Sequence, residues 1–281
     1  MILKTDCFLP CTDLKSMEST LCQLRECRAV RHINLLVTEE FALKNTAPEG
    51  CTMIVVDNIT SALAINSIAD NTDSEYSLLY TKSLPLTIGL YGIRRMLRVA
   101  AETNAGMVYS DHYSVENGLT VNHPVIDYQK GSLRDDFDFG SLLLIKSKLI
   151  KDYAAENDNS DFKYAALYDL RLFVSRQAAI FHINEYLYTE EENDTRTSGE
   201  KQFDYVNPRN RNVQLEMESA VTKHLKEVGA FVDTAYYDTP DFKEQDFDCE
   251  ASVIIPVRNR EKTICDAVDS ALAQKTNFKF N

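Results

Sequence analysis

The chain has 281 residues, with 43 acidic and 30 basic side chains and a formal net charge of −13. Apolar residues make up 44% and charged residues 26%, a globular composition that argues against wholesale disorder. The negative charge argues against nucleic acid or an anionic membrane surface as the main partner, because both repel an acidic protein at long range.

The seven cysteines form no C-x-x-C pair, and their odd number does not suit a disulfide framework. We expect reduced thiols, as in the cytosol. The amino terminus lacks the features of a signal peptide, and the longest apolar runs are far shorter than a membrane span. The sequence therefore predicts a soluble, cytoplasmic protein, at most peripherally associated with the inner face of a membrane.

The first 110 residues alternate short apolar strands with amphipathic helices. Predicted strands lie at 7–10, 32–37, 53–56, 76–80 and 107–109, and predicted helices at 14–28, 59–69 and 86–100. This alternation is typical of βαβ units and a mostly parallel sheet. Ligands of such sheets bind beyond the carboxyl ends of the strands, so the candidate residues lie there.

Beyond residue 111 the pattern weakens. Strands are predicted at 141–145 and 179–183, and helices at 165–176 and 213–228, followed by an acidic segment typical of a linker at 231–248. A new apolar strand is predicted at 252–257, with a helix after it. A strand and a helix of about thirty residues bury too little surface to fold alone, so we expect the protein to continue into a second domain.

This last segment, Ser252-Val-Ile-Ile-Pro-Val-Arg-Asn259, resembles the opening strand and turn of family 2 glycosyltransferases, whose catalytic domains begin S-V-I-I-P-x-x-N. In that family the strand end and turn contact the nucleotide of a sugar donor, and Pro256, Val257 and Asn259 match those positions. Arg258 stands where many members carry an aromatic residue. The alternative interpretation is one more parallel βα unit.

Residues 1–205 resemble a divergent copy of the same domain. Leu9–Asp13 is similar to its first strand, Leu35–Glu40 to the strand whose acidic end holds uridine, Tyr109–Tyr113 to a Y-S-D stretch, and Tyr168–Leu172 to the acceptor-side helix E-D-Y-D-L-W-L-R. The resemblance implies nucleotide contacts from Pro10, Thr12, Asp13, Glu39, Asp57, Lys82 and Asp111.

The predicted fold is therefore α/β of the GT-A type, a Rossmann-like, mostly parallel sheet flanked by helices, followed by a C-terminal helix and a truncated βα unit. We expect a divergent GT-A domain over 1–205, a helix and acidic linker over 206–249, and the start of a second family 2 domain over 250–281.

The chemistry departs from the family first at its Asp-x-Asp triplet, which binds Mn²⁺ or Mg²⁺ and is matched here by Thr81-Lys82-Ser83. A hard divalent ion needs charged oxygen ligands, so we expect no metal in this domain and Mn²⁺ or Mg²⁺ only in the second. Lys82 could itself face a phosphate, as cations do in metal-free transferases, or be a solvated loop lysine.

The family's acceptor base is matched by Ala166 and Leu167, which cannot accept a proton. Asp169 is a candidate catalytic carboxylate two residues later, but it lies on another side of the helix and is more typical of a structural partner for Arg171 or Arg176. The acidic run at 190–194 stands where members place an arginine and a histidine near the diphosphate, which this run would repel.

Alternative constellations remain open. Asp111, the second candidate catalytic carboxylate, could act with His112 and His123, and Glu39 with Asp57 could still hold uridine and ribose. Paired carboxylates also occur in Arg134-Asp135-Asp136, although such a run is usually a polar loop.

Two functions are therefore compatible with the sequence. In the first, the full protein transfers a sugar from a UDP-type nucleotide sugar to a glycan acceptor in bacterial surface polysaccharide synthesis. The transfer would proceed with inversion, with the catalytic set in the second domain. In the second, the first domain is a non-catalytic module that scaffolds the downstream transferase domain, or binds glycan or nucleotide without turnover.

Overall fold

The computed structural model describes residues 3–116, 118–156, 161–191, 211–238 and 248–281. The chain divides into two compact units, Met1–Phe231 and Val232–Asn281. The predicted domain boundary at 205 lies outside the described residues, and both predicted boundaries stay predictions. The helix predicted within the linker segment belongs to the first unit.

The first unit is an α/β structure. Its described strands are β1 (Thr5–Pro10), β2 (Val30–Val37), β3 (Cys51–Val55), β4 (Tyr76–Tyr80), β5 (Leu86–Ile88), β6 (Met107–Glu116), β7 (Leu119–His123), β8 (Leu142–Lys146) and β9 (Ile180–Glu191). Its described helices are α1 (Leu14–Glu26), α2 (Glu39–Lys44), α3 (Ala62–Asp70), α4 (Gly92–Thr103), α5 (Ser147–Glu156), α6 (Ala166–Gln177) and α7 (Arg211–Glu227).

The strands form one sheet in the order β3-β2-β1-β4-β8-β6-β9-β5, with β7 paired to β6. Strands β1 to β4 are mutually parallel where they pair, and β6 pairs parallel to β9. Strand β8 runs antiparallel to both β4 and β6, so those two strands share a direction. The carboxyl ends of β1, β2, β3, β4, β6 and β9 therefore lie at one edge, and the predicted α/β sheet flanked by helices is confirmed.

Two hydrophobic layers cover the sheet because successive side chains of a strand point to opposite faces. In β4, Tyr76, Leu78 and Tyr80 pack in the layer that contains α1 and α4. Leu79 packs in the other layer, against α3, α5 and α6. Burial of each such side chain contributes about 1.5–3 kcal/mol.

One predicted helix is two elements in the structure. The segment 86–100 begins with the short strand β5, which pairs antiparallel with β9, and α4 starts only at Gly92. A Cβ atom on Gly89 or Gly92 would lie 2.8 or 2.6 Å from the Leu187 carbonyl oxygen, so this crossing beside β9 requires glycine. Leu90, which fits the helical spacing, is 88% exposed.

The second unit contains α8 (Ile264–Leu272), at the position predicted for a helix. In its described residues the predicted strand 252–257 is not formed. The adjoining Ala251 makes one isolated bridge with Phe280. A strand needs neighbours that pair with its backbone groups along its length, and this unit supplies few of them. No helix among the described residues of the chain is long and apolar enough to cross a membrane.

Candidate functional site

The carboxyl ends of β1 and β2 border a small cleft of about 240 Å³. Thr12, a predicted nucleotide contact, lines it together with Thr38 and Glu40. Pro10 ends β1 in a half-buried position, and Glu39 is exposed at the first position of α2. The cleft is smaller than the roughly 300–1,000 Å³ of typical ligand pockets, so it has room for only part of a nucleotide.

Asp13 and Asp57, two further predicted nucleotide contacts, are both exposed and bind groups of the chain next to them. Asp13 caps the amino terminus of α1, and its carboxylate lies 3.0 Å from the Ser16 amide. Hydrogen bonds from the Ser16 amide and its neighbour lower the pKa of Asp13. Asp57 accepts hydrogen bonds from the Asn58 amide at 2.9 Å and from the Ser61 hydroxyl. Hydrogen bonds within the neighbouring chain segment therefore account for both carboxylates.

An ion pair between a partly exposed lysine and a buried carboxylate lies just after β4. The Lys82 ammonium binds the carboxylate of Glu190, a residue of β9 whose side chain is 4% exposed, against 38% for Lys82. The Ser141 hydroxyl also donates to Glu190, and His112 Nε2 lies 3.3 Å from Glu190 Oε1. The Thr81 amide donates to the Ser141 carbonyl oxygen at 2.9 Å. Groups from three segments of the chain thus converge on a carboxylate carried by β9.

These contacts keep Glu190 ionised. Burial by itself raises its pKa, but the hydrogen bonds from His112, Lys82 and Ser141 outweigh burial and bring the pKa down to about 2. At neutral pH the protein therefore supplies its own negative charge to compensate Lys82.

The triplet Thr81-Lys82-Ser83 does not fit a divalent metal ion. It presents two hydroxyl groups and an ammonium already paired to a carboxylate, whereas Mg²⁺ and Mn²⁺ prefer charged oxygen ligands. In the part of the chain that the structure describes, no group of three or more His, Cys, Asp or Glu side chains is placed to hold a metal.

Aromatic rings and a glycine surround the Lys82–Glu190 pair. The His112 ring stacks on His123, with centroids 4.4 Å apart, and on Tyr188 at 4.9 Å. The Tyr188 hydroxyl accepts a hydrogen bond from the Ser141 amide at 2.8 Å. Gly140 has φ +68°, and a Cβ atom there would overlap the Tyr188 hydroxyl. Only glycine fits this position without displacing its neighbours.

Asp111 is buried and paired away from the Lys82–Glu190 pair. Its side chain is 1% exposed and accepts from the Val125 amide and from His182 Nε2, each at 2.9 Å. The other His182 ring nitrogen lies 2.7 Å from Asp127. Asp111 therefore ties the loop after β7 to β6 and β9, which favours a structural role over a nucleotide contact or catalysis. Of the alternative set Asp111, His112 and His123, only the two histidines contact each other.

Ala166 and Leu167, the two positions of α6 that match the family's acceptor base, carry no proton acceptor. Ala166 is buried and Leu167 lines a cavity. Asp169 is 1% exposed and lies 3.1 Å from the Tyr153 hydroxyl and 3.2 Å from the Lys223 ammonium. Its cationic partner is thus a lysine of α7, not the predicted arginine, and its burial favours a structural role.

The two arginines considered as partners of Asp169 bind elsewhere. Arg176 pairs with Glu227 of α7 at 2.5 Å. Arg171 donates to the carbonyl oxygens of Ser132 and Arg134, both at 2.8 Å. Its guanidinium also lies 4.9–5.7 Å from the centroids of three aromatic rings, within the range of cation–π attraction. Arg171 therefore holds the loop before β8 against α6.

That loop, the first turn of α6 and the end of β4 enclose a cavity of about 690 Å³. Leu167 and Thr81 line it, so it lies on the side that the resemblance assigns to the acceptor. The loop and the α6 segment add aromatic and acidic side chains to its lining: Asp135, Asp136, Phe137, Asp138, Phe139, Tyr164 and Tyr168. Its size falls within the range of typical ligand pockets.

The acidic side chains of the cavity are exposed, and two of them have cationic or imidazole partners. Asp136 binds Arg134 in a two-bond contact at 2.9 Å, and this pairing lowers the pKa of Asp136. Asp138 lies 2.8 Å from His123 Nε2. The signal for this cavity in the sequence is the run of carboxylates at 135–138, a pattern that is also typical of a polar loop.

Pro256, Val257 and Asn259, which match the donor contacts of the family, lie in the second unit between the bridge at Ala251 and α8. Val257 is 53% exposed, and Asn259 has φ +55°, a left-handed conformation that asparagine tolerates better than most residues. Their nucleotide-binding role stays a prediction.

Neither family models nor curated proteins match this chain. Among solved structures, it is similar to the crystal structure of S. aureus TarS 1–349, with a TM-score of 0.51 and 10% identity over 83% of this chain and 68% of that chain. The same TarS region in complex with UDP-GlcNAc gives a TM-score of 0.47 and 9% identity over 80% and 73%. The structure of 4-diphosphocytidyl-2C-methyl-D-erythritol synthase from Anaerococcus prevotii gives a TM-score of 0.40 and 12% identity, over 66% of this chain and 91% of that chain.

The similarity to TarS 1–349 shows the fold of this chain. TarS is a glycosyltransferase of the GT-A type. At 10% identity the similarity concerns the course of the backbone and not the residues of a site. The chain has a Rossmann-like α/β fold of the GT-A type.

Proposed function

We propose that this protein is a glycosyltransferase in which the unit Met1–Phe231 is a catalytically degenerate GT-A domain. The full protein transfers a sugar from a UDP-type nucleotide sugar to a glycan acceptor, in the synthesis of bacterial surface polysaccharide. The charged catalytic set lies in a second family 2 domain that begins near residue 250. The observation that carries this proposal is the Lys82–Glu190 ion pair at the end of β4.

Sugar transfer from a nucleotide diphosphate has two electrostatic requirements. Charge that develops on the leaving diphosphate must be neutralised, and a base must accept the proton of the attacking hydroxyl. At the first position Lys82 is already compensated by Glu190. At the second, the first turn of α6 presents Leu167 to the cavity. Both departures argue against turnover in this unit.

The cavity beside Leu167 supports a binding role for the degenerate domain. Aromatic side chains such as Phe139 and Tyr168 offer apolar surfaces to the faces of sugar rings. Carboxylates such as Asp135 accept hydrogen bonds from sugar hydroxyls. The domain thus holds a glycan chain for the transferase domain without acting on it.

Calorimetry with UDP, in the presence and absence of Mn²⁺, tests the degenerate site in the 281-residue chain. We expect Mn²⁺ to leave UDP affinity unchanged, because the residues after β4 supply no carboxylate. Tighter UDP binding with Mn²⁺, or release of free sugar from a UDP-sugar, would refute the proposal for this domain.

Binding of oligosaccharides tests the cavity. We expect Leu167→Trp, which places a larger side chain in the cavity, to weaken the binding seen with the unmodified chain by at least about tenfold. Leu63→Trp is the matched control, because Leu63 is 54% exposed on α3 and is not among the residues that line the cavity. Equal binding by both variants would refute a glycan site in this cavity. Absence of both UDP and glycan binding would favour a scaffold role over a binding role.

A further inference from the structure

The groups around the Glu190 carboxylate have the composition of an anion-binding site. Lys82 and Ser141 donate to it directly, and His112 Nε2 lies 3.3 Å away. Lysine, hydroxyl and imidazole donors are the ones that bind phosphate oxygens in proteins, as point charges or short charge-assisted hydrogen bonds. The three side chains belong to separate segments of the sheet, so tertiary structure alone assembles them.

Two further polar atoms in this region lack partners. The Tyr80 hydroxyl and His112 Nδ1 are buried and have no hydrogen-bond partner among the described residues. The Tyr80 side chain is 1% exposed, and that of His112 is 2% exposed. The pKa of Tyr80 is raised, mainly by burial and secondly by the negative charge of the nearby Glu190. A buried hydroxyl without a partner costs free energy, so a phosphate oxygen that accepted a hydrogen bond from the Tyr80 hydroxyl would be stabilised.

We propose that Lys82, Ser141 and His112 form a phosphate-binding site whose occupant in this structure is the carboxylate of Glu190. Glu190 thereby acts as an intramolecular inhibitor, and a phosphate or diphosphate binds only when its side chain moves away. This inference deepens the proposed function, because it concerns the regulation of the same position after β4, and it rests on that assignment.

The backbone arrangement makes this exchange a side-chain event. Glu190 is held in the sheet between β5 and β6, opposite Leu86 on one side and Ser114 on the other. Rotation of the Glu190 side chain moves its carboxylate away from Lys82 and leaves the backbone pairing of β9 with β5 and β6 intact. The Lys82 ammonium remains within reach of solvent, because its side chain is 38% exposed. An incoming anion can therefore approach along the lysine.

Titration of the 281-residue chain with pyrophosphate and with inorganic phosphate tests the site, by calorimetry and by thermal unfolding. In Glu190→Ala the donors lose their internal anion, so we expect pyrophosphate to bind at least about tenfold more tightly than to the unmodified chain. We also expect acetate, which replaces the missing carboxylate, to raise the melting temperature of this variant only.

Two variants separate this site from general charge effects. Glu185 lies on another part of β9, and its exposed carboxylate pairs with Arg95 of α4. We expect Glu185→Ala to give no gain in pyrophosphate affinity. In the double variant Lys82→Ala/Glu190→Ala the gain should disappear. Equal affinity of Glu190→Ala and the unmodified chain, or a gain that persists without Lys82, would overturn the proposal.

A second variant covers the case in which Glu190→Ala does not fold. Glu190→Gln keeps the size of the side chain and can still bind Ser141, but it lacks the negative charge. We expect its pyrophosphate affinity to exceed that of the unmodified chain. No increase in this folded variant would equally overturn the proposal.

Discussion

Glu190→Gln should destabilise the protein in a pH-dependent way. The pKa of Glu190 is lowered from 4.5 to about 2, which corresponds to roughly 3 kcal/mol at 1.36 kcal/mol per pKa unit. Water reaches part of the Lys82 side chain and screens the pair, so we expect a loss of about 2 kcal/mol at neutral pH. Because the folded-state pKa lies below the unfolded one, this stabilisation is complete above pH 4.5 and disappears as the pH falls towards 2.

Urea unfolding of the unmodified chain and the variant, at neutral pH and at several acidic values, measures this difference. Far-ultraviolet circular dichroism is the suitable signal, because the chain contains no tryptophan. Comparison of the two proteins at each pH cancels the titration of all other carboxylates. Glu185→Gln is the matched control, since its exposed pair with Arg95 should contribute well under 1 kcal/mol. A free-energy difference that stays constant from neutral pH to pH 2.5 would refute the electrostatic reasoning.

Three further outcomes are expected in urea unfolding or proteolysis. Gly140→Ala should lower the free energy of unfolding by more than about 2 kcal/mol, because φ is +68° and a Cβ atom would overlap the Tyr188 hydroxyl. Gly131→Ala is the control, because φ is +96° but no atom lies near the added Cβ atom, and it should cost about 1 kcal/mol. Asp6→Asn should cost about 2–4 kcal/mol, since the buried Asp6 carboxylate accepts two backbone amides of the turn before β4 at 2.7 Å; a change below 1 kcal/mol would contradict this. Arg171→Met should speed proteolysis of the loop before β8 without unfolding the sheet, and an unchanged cleavage rate would show that other contacts hold the loop.

Local patterns in the sequence were sufficient for most of the fold. Apolar alternation in β4 and helical spacing in α1 reflect which side of each element is buried, and that is a local property. The segment 86–100 shows the limit of such patterns. Leu86 and Ile93 are both buried, but in a strand and a helix respectively, because β9 offers a pairing edge to β5. Helical spacing cannot reveal an edge formed about a hundred residues later in the chain.

The missing carboxylates at Thr81–Ser83 and at Ala166 and Leu167 were evident from the sequence alone, since residue type decides what a position can bind. The acidic run after Tyr188 is equally evident from the sequence, and it predicts repulsion of a diphosphate. The structure adds that Glu190, the first residue of this run, binds Lys82.

The sequence by itself thus determined an α/β, GT-A-type sheet and the absence of metal-binding carboxylates at its expected site. Only the tertiary structure decided which charges compensate each other. Lys82 and Glu190 are 108 residues apart, and Asp169 and Lys223 are 54 apart. The physical reason is that side-chain periodicity depends on neighbouring residues, whereas an ion pair depends on which strands the sheet order brings together. In this protein, placing β9 beside β6 brings the Glu190 carboxylate to Lys82, which follows β4.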